Sequence, residues 1–378
     1  MGGSTDPDGD DAHPLGGSRD SAGDEAHGGG ARNRIALLDW ERDALEVMTI
    51  AARDYMLLGA MDERTLRAND DAWRAGWLRP RVLTGADTPD LSVEVLGRRW
   101  PHPVMAAPTA NHALLHDEAE VATARGLATS RATMAVSTSA SRPLRDIVAG
   151  LDHWWFQVYL PDDERFRTAL VEQVVAAGAE ALVLTVDLPV GGRREAPLRA
   201  SRPSWPEDRT RFLWLDAARR AGCSDSAPGS HLLPVTLDHL EWLAGFGLPV
   251  VVKGVLRGDD ARRAVDAGAA AIQVSNHGGR QLDGAVPTAV ALPEVAAAVA
   301  PQVPVIVDGG VRRGRDVATA LALGATAVAI GKPVLWGLAV DGSEGVAAVV
   351  DTLVDEVDHV MRLLGVANVD ELTDDLLT

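Results

Sequence analysis

Residues 177–184 read Ala-Gly-Ala-Glu-Ala-Leu-Val-Leu, residues 267–274 Ala-Gly-Ala-Ala-Ala-Ile-Gln-Val, and residues 323–330 Leu-Gly-Ala-Thr-Ala-Val-Ala-Ile. The three share one layout, in which a helix ends at a C-cap glycine and an apolar strand begins at once. Outward from these copies, short β-type runs alternate with longer helical segments from residue 103 onward. The runs lie at 104–107, 133–136, 155–158, 181–186, 250–253, 271–275, 305–308 and 327–331, eight in all. Segments between them, at 118–129, 164–177, 259–267 and 315–323, have the Ala-rich, charged composition of helices covering a sheet. Such alternation specifies an α/β protein with a parallel sheet. Eight strands point to a closed (β/α)₈ TIM barrel; an open doubly wound sheet fits the periodicity too, but no Gly-x-Gly-x-x-Gly follows the first run.

The flanks fit around that body. Residues 35–77 have helical apolar spacing (Leu45, Val47, Met48 and Ile50, then Leu66 and Trp73), a helical lead-in, and 79–83 and 91–96 read as short strands or extended chain. Residues 346–364 return to helical spacing and should close the barrel. The longest interruption follows the fourth strand, at about 196–235, with Pro197, Pro203, Pro206, Pro228 and Pro234. Its composition suits a lid over a site and a disordered insertion equally. Residues 1–33 hold Gly, Asp, Ser and His with almost no large apolar side chain, a composition expected of a disordered tail, leaving 34–378 as one domain.

The 378 residues have a formal net charge of -18, which argues against nucleic acid or an anionic membrane as the main partner. No apolar run reaches the length of a membrane span and the N-terminus lacks the pattern of a secretory leader, so a cytoplasmic location is expected. The one cysteine, Cys223, excludes an intrachain disulfide and a multi-cysteine metal centre, and no metal is expected.

Barrels of this kind build their sites at the C-terminal ends of the strands. Polar groups stand at each of those ends here: Pro108-Thr109-Ala110, Ser137-Thr138-Ser139, Gln157 with Tyr159, Thr185 with Asp187, Lys253, Ser275 with His277, Asp308-Gly309-Gly310, and Gly331-Lys332. After the sixth strand, 275–284 read Ser-Asn-His-Gly-Gly-Arg-Gln-Leu-Asp-Gly, offering a potential base (His277) and a fixed cation (Arg280), although a glycine turn with an incidental histidine has the same letters. Residues 307–314, followed by 330–333, have the shape of a phosphate cradle: glycine amides, a helix N-terminus, Arg312 and Lys332. Only two tyrosines occur, Tyr55 and Tyr159, and each could equally be a core residue with a satisfied hydroxyl.

Together, Asp54-Tyr55, Ala107-Pro108-Thr109-Ala110, Phe156-Gln157-Val158-Tyr159, Leu184-Thr185-Val186-Asp187, Gly192-Arg193-Arg194-Glu195, Val252-Lys253-Gly254, the 275–284 stretch and the 308–314 stretch resemble the FMN-dependent 2-hydroxy acid oxidases and dehydrogenases, from about residue 40 to the C-terminus. That resemblance implies FMN across the barrel mouth. Ala107, Pro108, Thr109, Ala110, Ser137, Gln157, Thr185, Lys253 and Ser275 would surround the flavin and ribityl chain, and Asp308, Gly309, Gly310, Arg312, Gly331 and Lys332 its phosphate. It implies His277 as the base, oriented by Asp187; Arg280, Arg194 and Tyr55 on the substrate carboxylate; Tyr159 on its hydroxyl; and Lys253 beside the flavin. The implied reaction oxidises an (S)-2-hydroxy acid, with electrons passing to O₂ or to another acceptor, and homotetramers are the implied assembly. Three departures stand out: Ser139 where many relatives have a bulky residue, Lys332 in place of an arginine, and an altered lead into the lid at 197–202. Ser139 suggests a roomier or more polar pocket, Lys332 keeps the charge without the guanidinium fork, and with the specialised lid they point to a larger, aryl-type 2-hydroxy acid. Two readings compete: the same chemistry on an unusual specialised substrate, and a barrel that only binds a phosphate ligand.

Overall fold

The computed structural model describes residues 33–195, 212–223 and 232–378. The tail expected at 1–33 lies outside them except for its last residue, as does most of the segment expected to form a lid; within that segment, residues 212–223 include the helix Phe212–Arg220, and Cys223 lies just beyond it. Residues 34–378 form one compact unit.

The eight expected runs become eight parallel strands closed into a barrel: β3 (Val104–Ala106), β4 (Met134–Ser137), β5 (Trp154–Val158), β6 (Ala181–Thr185), β7 (Val250–Val255), β8 (Ala271–Val274), β9 (Val305–Asp308) and β10 (Ala327–Ile330), with β10 pairing β3. This closure excludes the open sheet. In the three repeated segments Gly178, Gly268 and Gly324 have φ of 88°, 97° and 97°, the left-handed backbone that stops a helix and turns the chain straight into β6, β8 and β10.

Every position of these strands but one is buried, because helices cover the outside and side chains fill the inside. The inward face is layered. Met105, Ala135, Trp155, Ala181, Val183, Val251, Ala271, Ile306 and Ala327 form an apolar lower stack. Above it, at the C-terminal ends, lie Ser137, Gln157, Thr185, Lys253, Gln273 and Asp308, all buried. A hairpin upstream, β1 (Val93–Val95) with β2 (Arg98–Trp100), closes the other end: Val93, Val95 and Trp100 pack onto the lower stack, with the Trp100 and Trp155 rings 5.4 Å apart. Sequence periodicity suggested short strands here but not their role as a plug.

The lead-in is helical, as α1 (Leu37–Val47), α2 (Ile50–Met56) and α3 (Arg64–Ala75). Leu45, Val47 and Ile50, counted in its apolar pattern, are exposed, and the buried face of α1 is Leu37, Trp40, Asp43 and Ala44. The closing helix is longer than expected, Lys332–Leu364, and is broken at Asp341 and Gly342. Among the described residues it is the one helix long and apolar enough to cross a bilayer, yet 67% of its apolar window is buried within the fold, as suits a core helix.

Candidate active site

A cavity of about 530 Å³ opens at the C-terminal end of the barrel. Of the residues singled out in the sequence, it is lined by Tyr55, Ala107, Pro108, Thr109, Ala110, Ser137, Ser139, Tyr159, Arg194, Lys253, His277, Arg280, Asp308, Gly309, Gly310, Arg312, Gly331 and Lys332. Gln157, Thr185, Asp187 and Ser275 do not reach its wall; they lie behind it and act through hydrogen bonds.

The polar layer of the barrel forms its floor. Ser137 Oγ donates to Gln157 Oε1 at 3.1 Å, and Gln157 Nε2 donates to Thr185 Oγ1 at 3.0 Å. On the far side Lys253 Nζ donates to Ser275 Oγ at 2.9 Å, and Ser275 Oγ and Gln273 Nε2 each donate to Asp308 at 2.7 Å. Lys253 is thereby fixed between a hydroxyl and a carboxylate 3.7 Å away, its charge compensated within the buried layer.

His277 rises from β8 on a short turn with φ of 59°, a backbone that costs a histidine of order 1 kcal/mol and is held by the loop around it. Its amide donates to Ser275 Oγ at 3.1 Å, and its Nδ1 lies 3.0 Å from Asp187 Oδ1, leaving Nε2 for the cavity. Burial, the largest influence on Asp187, raises its proton affinity, but Lys253 and His277 outweigh it and hold the carboxyl below its usual range. Gln281 binds the segment after Asp187: Nε2 donates to the carbonyls of Asp187 (3.0 Å) and Val190 (3.1 Å), and Oε1 accepts from Gly192 N (2.9 Å). Arg194 and Arg280 are both brought over the Tyr55 ring, at 5.4 and 5.6 Å. Burial and then the repulsion of Arg194 push Arg280 down to about 10, and its Nη1 donates to the carbonyls of Met56 (3.2 Å) and Leu58 (3.0 Å). Tyr159 is pushed upward, first by burial and then by Asp187, so its phenol stays protonated and can donate.

The other end of the cavity fits a phosphate. Gly310 has φ of 85°, and a Cβ there would lie 2.5 Å from the Asn69 carbonyl oxygen, so only glycine lets this loop pack against α3. Lys332 stands at the first turn of the closing helix and donates to the Leu57 carbonyl at 2.8 Å; burial, then Arg312 and Arg280, depress it to about 7. A dianionic phosphate would relieve that crowding of cations. The residues present therefore fit FMN, with the phosphate beside Arg312 and Lys332 and the ring system toward Lys253.

Several wall residues had no signal in the sequence: Asn69, Asp70, Val190 and Leu232 approach from the lead-in and from the segment beyond the fourth strand, and only the fold brings them in. Gln281 lies inside the 275–284 motif but carried no assigned role.

A closed parallel barrel whose mouth joins a base–carboxylate pair, two neighbouring arginines and a phosphate cradle defines a flavin-dependent oxidoreductase of the α/β-barrel type. The chain belongs to the FMN-dependent dehydrogenase family, whose model matches residues 44–378. It is 42% identical to an L-lactate oxidase of Nostoc sp. over 351 residues (89% of this chain, 96% of that one). It is 40% identical to the 4-hydroxymandelate oxidase of Amycolatopsis orientalis over 342 residues (89% and 96%). Its backbone superimposes on that of a mandelate oxidase solved with benzoyl-formic acid with a TM-score of 0.82 at 38% identity, covering 92% of this chain and 98% of the other.

Proposed function

We propose that this enzyme oxidises an (S)-2-hydroxy acid with an aryl side chain to the 2-oxo acid, using dioxygen as the final acceptor. The observation that carries the reading is the pair Arg194 and Arg280 stacked on Tyr55 beside His277 Nε2, a carboxylate clamp next to a base. Arg280 and Arg194 would hold the substrate carboxylate, a task suited to the guanidinium fork, with Tyr55 adding a hydrogen bond. The carboxylate thus anchored, the 2-hydroxyl falls between Tyr159 and His277. His277 Nε2 takes a proton from the substrate, and Asp187 stabilises the imidazolium that forms. Lys253 supplies positive charge at the floor. FMN, held by the polar floor beside Lys253 and by the cradle at Arg312 and Lys332, would supply the acceptor for the two electrons and the second hydrogen, with dioxygen as the final oxidant reduced to hydrogen peroxide.

The aryl preference rests on Ser139, which lines the cavity with a small side chain. The lactate and hydroxymandelate oxidase relatives support an oxidase over a dehydrogenase. Exposed Ile50, Trp77, Val82 and Leu83 support self-association into a homo-oligomer. The test is anaerobic mixing with (S)-mandelate and with (S)-lactate, followed by readmission of air. Bleaching of the flavin band, faster with mandelate, and one peroxide per turnover are expected; no bleaching with either acid would sink the assignment.

A further inference from the structure

Tyr55 can help to hold a carboxylate only if its hydroxyl hydrogen points into the cavity, and one buried residue controls where that hydrogen goes. Asn111 is 4% exposed and stands just beyond the Ala107–Ala110 segment with φ of 61°, a left-handed backbone that asparagine tolerates better than most residues. Its Nδ2 donates to the Tyr55 hydroxyl oxygen at 2.6 Å. Its backbone amide donates to the Ser139 carbonyl at 3.2 Å, so one residue touches both the clamp and the small-side-chain wall. Among the described residues its Oδ1 has no hydrogen-bond partner.

We infer that Asn111 is a positioning residue that sets the polarity of Tyr55. An amide nitrogen has only hydrogens to give, so the phenol oxygen must accept from Asn111 and direct its own hydrogen elsewhere. Among the described residues no acceptor takes that hydrogen. Both Arg194 and Arg280 lie over the ring, and the direction left open to the hydroxyl is the cavity, toward the anion those guanidiniums attract. Asn111 also draws electron density from the phenol oxygen, which strengthens the hydrogen bond Tyr55 gives. Oδ1, left without a partner, is the cost of presenting the donor end.

The inference rests on the proposed 2-hydroxy acid chemistry, and its test separates the two. Asn111→Gly removes the donor at a backbone angle glycine adopts freely, and Asn111→Asp keeps the shape but offers an acceptor that turns the Tyr55 hydrogen away from the cavity. Both are purified with FMN bound, and their flavin content and melting temperature are compared with wild type. Binding of benzoylformate is then measured by calorimetry, and kcat and KM with (S)-mandelate. Asn111→Gly is expected to weaken benzoylformate about tenfold and to raise KM by a similar factor, while kcat moves less than threefold. Asn111→Asp should weaken it at least as much. In a Tyr55→Phe background, Asn111→Gly should cost less than a further twofold. A folded, flavin-loaded Asn111→Gly with wild-type benzoylformate affinity, or a loss that persists undiminished in Tyr55→Phe, would overturn the inference and leave the 2-hydroxy acid reading standing. If wild type neither bleaches with 2-hydroxy acids nor binds benzoylformate, both fall together.

Discussion

At the scale of single residues, the site gathers paired charges and clustered cations in one buried space. His277 has its carboxylate partner 3.0 Å away, whereas Arg280 and Lys332 are depressed first by burial and then by neighbouring cations. For His277→Asn, turnover should fall by about 10³-fold or more with FMN still bound, because removal of a positioned base has effects of that order; stopped-flow bleaching measures it, and full turnover would remove the assigned role. Lys332 gives a pH test. Its proton affinity is depressed to about 7 in the protein without an anion, so it is largely uncharged at pH 8. A bound phosphate raises that affinity, and FMN binding to the apoprotein at pH 8 should therefore take up a proton, where at pH 6 uptake by Lys332 should vanish. Calorimetry in buffers of different ionisation enthalpy reads this directly. His277, Arg280 and the phosphate loop were legible in the sequence because each lies in a short contiguous motif. Asn111 and Asn69 were not, because what they do depends on partners far along the chain, Tyr55 and Asn276.

At the scale of elements, the loop after β8 anchors the lead-in as well as carrying His277. Helix α3 begins after Glu63 with no side-chain cap of its own; Asp283, from the far side of that loop, accepts from the amides of Thr65 (2.9 Å) and Asp62 (3.1 Å). Asn276 and Asn69 exchange amide hydrogen bonds at 2.9 and 2.7 Å beneath it. Asp283→Ala should cost about 1 kcal/mol, the usual worth of a helix cap, and should loosen Tyr55 and Arg280 along with α3. A lowered melting temperature accompanied by a higher KM for (S)-mandelate is the expected pair; a change in stability alone would mean that the cap and the clamp are independent. The helices and strands were readable from periodicity and the three glycine stops. The capping of α3 by a residue 218 positions away was not, since no local pattern encodes it.

At the scale of the whole molecule, residues 34–378 contain the barrel, the lead-in and every wall of the cavity that the structure describes. A chain beginning at Arg34 should bind FMN and melt within about 2 °C of the full-length protein, checked by flavin content and thermal unfolding; loss of flavin would give the first 33 residues a part in the site. The count of strands followed from eight alternating runs, whereas their closure into a barrel, favoured by the missing Gly-x-Gly-x-x-Gly, needed the fold to exclude an open sheet. The plug at the opposite end did not, because Val93, Val95 and Trp100 acquire that role only when the barrel exists for them to enter. That plug turns the barrel into a cul-de-sac. With Trp100 lodged against Trp155 and an apolar stack above them, the barrel formed by the described residues opens only at its mouth, which acid, keto product and oxidant then share. Traffic there is in series, so benzoylformate held at the clamp should delay reoxidation by air as well as compete with mandelate, and air should reach the reduced site fastest once the product has gone.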